Sequence, residues 1–172
     1  MTLAELNCLP GDEARQAFLD CCASWRWATR MASSRPYPSL VNLCEIASRV
    51  WNSLSPDDWL EAFASHPAIG QTDNRSSRSQ ISRSWSIQEQ KGVQGAAQAT
   101  LQELAELNLD YQRTFGYVFL VCATGKTADE MLQLLRQRLP NDRAAELKIA
   151  ANEQRLITLI RLKKMLTGER DS

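Results

Sequence analysis

Gly116-Tyr117-Val118-Phe119-Leu120-Val121-Cys122-Ala123 is the one run in this chain of 172 residues that reads as a buried β-strand: short, continuously apolar and closed by Thr124-Gly125. A strand needs a neighbour to take up its backbone hydrogen bonds, and the sequence offers no second run of this kind. A sheet is therefore not expected. The run is expected instead as a buried extended or partly helical piece inside a helical protein.

The flanking sequence carries the helical period. After a short opening turn, Pro10-Gly11-Asp12-Glu13 starts a helix whose Ala14, Ala17, Phe18, Cys21 and Cys22 fall on one face. Trp25, Trp27, Ala28 and Met31 form a short helix behind Ser24, and the prolines of Arg35-Pro36-Tyr37-Pro38 break it. Ser39 caps a helix with the stripe Leu40, Leu43, Cys44, Ala47, Val50, Trp51 and Leu54. Ser55-Pro56-Asp57-Asp58 supplies a cap, a first-turn proline and two acids for a helix that carries Trp59, Leu60 and Phe63 and ends at His66-Pro67. Ser86-Ile87-Gln88-Glu89 is a capping box opening a helix with Val93, Ala96, Ala97, Thr100, Leu101, Leu104 and Leu107 inward, and Asn108 marks its boundary. Thr127-Ala128-Asp129-Glu130 is a second box, for a helix that stops at Pro140. Asn141 caps a final helix, roughly 35 to 40 Å long at 1.5 Å per residue, with Ala145, Ile149, Leu156, Ile157, Ile160 and Lys164 along one stripe.

Composition narrows the function classes. A chain that is 44% hydrophobic can bury its own core, and no internal repeat or domain boundary is visible. Twenty basic and twenty acidic residues cancel, which argues against a nucleic-acid or anionic-membrane surface. Cys8, Cys21, Cys22, Cys44 and Cys122 form no Cys-x-x-Cys pair and are odd in number. That fits reduced thiols in a cytoplasmic protein, and with a single histidine in the chain no metal site is expected. Neither a secretory signal nor a stretch of transmembrane length is read.

The single histidine lies in Ser65-His66-Pro67-Ala68-Ile69-Gly70. It is the sole imidazole available for proton chemistry near neutral pH, placed at a helix C-terminus where carbonyls and dipole favour its protonated form. A solvated or gap-filling histidine is the plain alternative. Residues 71–85, rich in Ser, Arg and Asn, form a long loop of the kind that is often functional.

At this point the chain resembles a known family. His66-Pro67-Ala68-Ile69-Gly70, Ser86-Ile87-Gln88-Glu89-Gln90, Phe115-Gly116-Tyr117-Val118-Phe119, Arg138-Leu139-Pro140-Asn141-Asp142 with Glu146-Leu147, and Ile160-Arg161-Leu162 occur in order. So do Cys21-Cys22 with Trp27 and Arg35-Pro36-Tyr37, upstream. Together they resemble the 2-oxo-4-hydroxy-4-carboxy-5-ureidoimidazoline (OHCU) decarboxylases of urate breakdown. The chain departs from that pattern at Ala68, where the family usually has a basic residue, at Val118, where it has proline, and at Gln71, where aspartate or glycine is common.

The resemblance implies an all-helical fold, no cofactor, a homodimer, and conversion of OHCU, a small ureidoimidazoline, to (S)-allantoin with release of carbon dioxide. By the same resemblance His66 is the catalytic imidazole and Glu89 the carboxylate working with it. Ser86, Gln90 and Arg161 bind substrate, Pro67 shapes the pocket, and Phe119, Leu120 and Val121 supply backbone and apolar contacts. Pattern and resemblance together predict an all-α, single-domain bundle of about eight helices over residues 1–172, with one buried extended segment.

The residue types suit that chemistry. Decarboxylation leaves an electron pair that must pass into the substrate's conjugated ring, so the protein has to orient an anion, stabilise developing charge and deliver a proton. An arginine fork suits a carboxylate, and a serine, glutamate and glutamine within one helical turn suit a compact polar substrate. Two other readings stand beside this one. A helical interaction module could use Trp25, Trp27, Trp51, Trp59 or Trp85, of which Trp85 is the one expected to be exposed. A nucleic-acid arm could use Arg75, Arg78 and Arg83, against the neutral net charge.

Overall fold

The computed structural model describes residues 1–67 and 97–167. These are α-helical, with eight helices and no strand among the described residues. The helices are α1 (Leu3–Cys8), α2 (Gly11–Cys21), α3 (Trp25–Ser33), α4 (Leu40–Asn52), α5 (Pro56–Phe63), α6 (Gln98–Phe115), α7 (Ala128–Arg138) and α8 (Arg143–Thr167). They group into two compact units, one of Met1–Ala62 with the described residues from Arg155 onward, the other of the described residues between Phe63 and Gln154. The final helix contributes residues 143–154 to the second unit and 155–167 to the first.

In the first unit the opening turn proves to be a helix. Thr2 Oγ1 accepts from the Glu5 N–H at 3.2 Å and Glu5 Oε2 accepts from the Thr2 N–H at 2.7 Å, a complete capping box on α1. Ser39 and Ser55 cap α4 and α5 as their sequence positions predict, and Ser24, just before α3, caps that helix too. Each accepts from an N–H that the helix itself leaves unpaired.

Phe18 of α2 and Trp27 of α3 are fully buried and meet edge to face, 5.8 Å apart at 87°, with Tyr37 against the same Phe18 ring at 6.2 Å. Burying a side chain of that size is worth about 1.5–3 kcal/mol. The Trp27 indole N–H donates to the Ala47 carbonyl of α4 at 3.1 Å, so the polar edge of the ring is also satisfied. Cys21 and Cys22 are fully buried, in keeping with their helical stripe.

Trp51 is buried against Trp59, whose indole N–H reaches the Trp51 carbonyl at 3.1 Å. Trp25, by contrast, is 55% exposed, with the Arg15 guanidinium 4.6 Å from its ring centroid. The expectation that Trp85 alone would be exposed is thereby corrected, since Trp25 lies at the first turn of α3 with its side chain away from the buried face, while Trp85 lies outside the described residues.

The second unit departs from expectation in three places. Ala97, with φ −58° and ψ 138°, stands outside the helix and caps nothing with its side chain, so α6 begins at Gln98 rather than continuing an earlier helix. The capping box at Ser86 and Glu89 and the loop 71–85 lie outside the described residues. Asn108 is no boundary: it sits inside α6, 3% exposed, and the helix runs on to Phe115, where Gly116 at φ 89° closes it by donating to the Gln112 carbonyl at 2.8 Å.

The third departure concerns α8. Asp142, not Asn141, caps it, its Oδ1 accepting from the N–H groups of Ala144 and Ala145 at 3.0 and 2.9 Å. The buried face runs through Glu146, Ala150, Gln154, Ile157, Thr158 and Arg161, while Ile149 is 37% exposed. The apolar stripe is thus rotated from the one the sequence suggests. Polar residues turn inward here because tertiary partners exist for them, as the carboxylate of Glu146 shows below. The box at Thr127 and Glu130 on α7 forms as expected, with bonds of 3.2 and 2.7 Å.

Candidate active site

Residues 117–123 are buried except for Val118, which is half-buried, and adopt neither helix nor strand. A buried backbone without a ladder must find its hydrogen bonds elsewhere. Here side chains supply them. Asn108 Oδ1 of α6 accepts from the Phe119 N–H at 3.2 Å, Arg138 Nη1 of α7 donates to the Leu120 carbonyl at 2.8 Å, and Glu153 Oε2 of α8 accepts from the Cys122 N–H at 2.7 Å. Lys126 Nζ completes the set on the Cys122 carbonyl at 2.7 Å. Among the described residues no acceptor pairs with the N–H of Leu120 or of Val121.

Arg138 is itself held tightly. It is 7% exposed, its Nε and Nη2 lie 2.8 and 2.5 Å from Glu146 Oε1, and its guanidinium stands 4.6 Å from the Phe119 ring centroid. The Tyr111 hydroxyl also donates to Glu146 Oε1, and Asn141 Nδ2 donates to Glu146 Oε2 at 2.7 Å. Burial, followed by the hydrogen bond to the Glu146 carboxylate, pushes the Tyr111 phenol far above its ordinary pKa, so it remains a donor. Burying both charges is tolerable because each is hydrogen-bonded on several sides.

His66 and Pro67 are half-buried and belong to the same unit as this segment. Helix α5 ends at Phe63, and the His66 N–H turns back to the Phe63 carbonyl at 3.0 Å. The Phe63 ring in turn packs on Tyr117, 5.1 Å between centroids. One residue therefore links the turn that carries the imidazole to the start of the segment holding Phe119, Leu120 and Val121, which are 2, 2 and 7% exposed.

Arg161 belongs to the first unit. It is 2% exposed rather than at a solvated edge of its helix, and its charge acts on the buried thiol of Cys22. Burial pushes that thiol up to about 11, opposed by hydrogen bonds from the Ser24 backbone and the Thr158 side chain and by the Arg161 cation. Ser86, Glu89 and Gln90 lie outside the described residues, as do Ala68 and Gln71.

The sequence places Asn108 at a helix boundary, carries Arg138 and Glu146 only within the family resemblance, and suggests no role for Tyr111 or Glu153. The available signal was composition against pattern: Asn108 and Glu146 fall where helical periodicity turns inward, positions that favour apolar residues unless a partner waits there.

A family model for OHCU decarboxylase matches residues 7–163. The uric acid degradation bifunctional protein TTL of Arabidopsis thaliana is 40% identical over 150 residues, covering 87% of this chain and 46% of that protein, so the chain spans about half the length of that relative. A 2-oxo-4-hydroxy-4-carboxy-5-ureidoimidazoline decarboxylase of Haloferax volcanii is 23% identical over 170 residues, covering 98% of each. A crystal structure of OHCU decarboxylase in the presence of (S)-allantoin matches with TM-score 0.76 and 36% identity, covering 88% of this chain and 98% of that one. A crystal structure of (S)-allantoin synthase shares the fold, with TM-score 0.72 at 18% identity, over 96% of this chain and 54% of that one.

Proposed function

This chain belongs to the OHCU decarboxylase family, and from that premise we propose that it converts 2-oxo-4-hydroxy-4-carboxy-5-ureidoimidazoline to (S)-allantoin and carbon dioxide in urate degradation. The observation that carries the reading is a family match over residues 7–163, with a solved relative whose chain is covered almost end to end.

In this reaction the bond between the ring carbon and its carboxylate breaks. Carbon dioxide leaves, the electron pair enters the conjugated ring, and a proton then adds to one face of that carbon. His66 moves the proton, oriented and made more basic by the Glu89 carboxylate. Arg161 holds the substrate's anionic end through its planar fork, and Ser86 and Gln90 add neutral hydrogen bonds. Pro67 turns the chain after the imidazole into the pocket. Phe119, Leu120 and Val121 line it, and the Leu120 and Val121 N–H groups are suited to receive substrate oxygens or the developing charge.

The proposal extends to a cytoplasmic homodimer in which residues 1–172 act as one domain, with 117–123 as its extended buried piece. The OHCU decarboxylase resemblance supports the homodimer and single-domain organisation, and an odd number of cysteines with no Cys-x-x-Cys spacing supports a reducing compartment. Among the described residues no helix is long and apolar enough to cross a membrane.

The test follows freshly generated OHCU by circular dichroism, which reads the appearance of optically active allantoin. Wild type is expected to exceed the spontaneous rate and His66→Ala to fall back to it. Equal rates in the two proteins would remove the assignment.

A further inference from the structure

We propose that Arg138, fixed by Glu146, acts with Asn108 and Glu153 as a set of positioning residues that determine where the Phe119–Val121 backbone meets substrate. The inference rests on the reading that this segment contacts substrate and deepens it. Three helices each send one polar side chain to a single stretch of seven residues: Asn108 to the Phe119 N–H, Arg138 to the Leu120 carbonyl and Glu153 to the Cys122 N–H. These bonds alternate with the amides of Leu120 and Val121. Fixing the Leu120 carbonyl fixes the peptide plane that carries the Val121 N–H, because that plane is rigid. Fixing the Phe119 and Cys122 N–H groups holds the segment on either side.

Arginine can do this and lysine cannot. The guanidinium engages the Leu120 carbonyl through Nη1 while Nε and Nη2 engage Glu146, and it lies 4.6 Å from the Phe119 ring centroid. A lysine ammonium keeps the charge but loses the fork that makes both bonds at once. A buried ion pair contributes little net stability compared with well-packed apolar residues, so its placement against this segment is better accounted for by geometry than by energy.

The test compares Arg138→Lys, Glu153→Ala and Glu153→Gln with wild type, reading thermal unfolding, KM and kcat for OHCU, and backbone amide NMR shifts with (S)-allantoin as the probe. Arg138→Lys and Glu153→Ala are expected to lower kcat/KM about tenfold, the effect of a misplacement worth one hydrogen bond, chiefly through KM. Glu153→Gln, which keeps an acceptor for the Cys122 N–H, is expected to stay near wild type. Unchanged KM in folded Arg138→Lys and Glu153→Ala would overturn the proposal, as would a fall in kcat/KM that merely follows lost folded protein. Should Arg138→Lys fail to fold, the Glu153 pair decides by itself. The underlying reading is tested separately in wild type: if (S)-allantoin shifts other amides but leaves those of residues 119–121 unmoved, that reading falls, and this inference with it.

Discussion

Among the described residues, two of the stretches that leave the helical pattern are secured in different ways. In the first unit, residues 34–39 are held by one neutral amide side chain and a half-buried arginine. Asn7 Nδ2 donates to the Tyr37 carbonyl and Asn7 Oδ1 accepts from the Tyr37 N–H, both at 2.9 Å, while Arg35 donates to the carbonyls of Ala32, Leu6 and Leu9 at 2.9, 2.9 and 2.7 Å. In the second unit, residues 117–123 are also held by an asparagine and an arginine, but there the arginine is buried and needs a carboxylate. The first stretch joins two helices and needs only to be tied down. The second is sunk in the interior beside the proposed pocket, and a charged network sets its backbone. Where burial and irregular backbone coincide, the chain has accepted a costly arrangement, and such sites are where function tends to lie.

The contrast can be broken most forcefully at Glu146. Glu146→Leu strips a buried guanidinium of its carboxylate and is expected to cost about 3–5 kcal/mol in urea denaturation. Adding Arg138→Met should restore most of that stability without restoring KM, and recovery of both would mean the network serves stability alone.

A second contrast appears in alkali. One buried ionisable group of the first unit is the Cys22 thiol, raised to about 11 from 9.0 by burial. Below pH 9 both folded and unfolded states keep the proton and its contribution is fully present. Between pH 9 and 11 the unfolded thiol ionises first, so stability falls with rising pH, by about 3 kcal/mol from this group. The slope measured across that window should flatten in Cys22→Ala, and an unaltered slope would show that the thiol is not the group responsible.

Smaller effects sharpen the picture of the first unit. Asn7→Leu leaves the Tyr37 N–H and carbonyl without their partner and is expected to lower stability by about 2 kcal/mol, less than Glu146→Leu, because no charge is stranded. An equal or larger loss in thermal unfolding would erase the distinction between the two stretches. Thr2→Ala, which removes the cap of the helix whose Leu6 carbonyl receives Arg35, is expected to cost about 1 kcal/mol or less, read in the same way.

Much of this was legible before any coordinates. The caps at Ser39, Ser55 and Thr127 are local events between residues three apart, and each forms where the sequence places it. The box at Thr2 and Glu5 carried the same signature and could have been read in the same way. The close of α5 was legible only in part: the sequence places it at His66-Pro67, whereas the helix stops at Phe63 and the His66 N–H turns back to the Phe63 carbonyl. The site as a constellation was less so, since its named residues came from resemblance and not from spacing.

What the sequence by itself determined was therefore the helical character of the chain, its local starts and stops, and the isolation of one strand-like run. Only the tertiary structure decided how that run is satisfied. Asn108 lies 11 residues from Phe119, Arg138 lies 18 from Leu120, and Glu153 lies 31 from Cys122. No local pattern links residues so far apart. Polar side chains on otherwise apolar helix faces became interior residues because the folded chain delivered a backbone in need of partners, and that need exists only once the helices have packed.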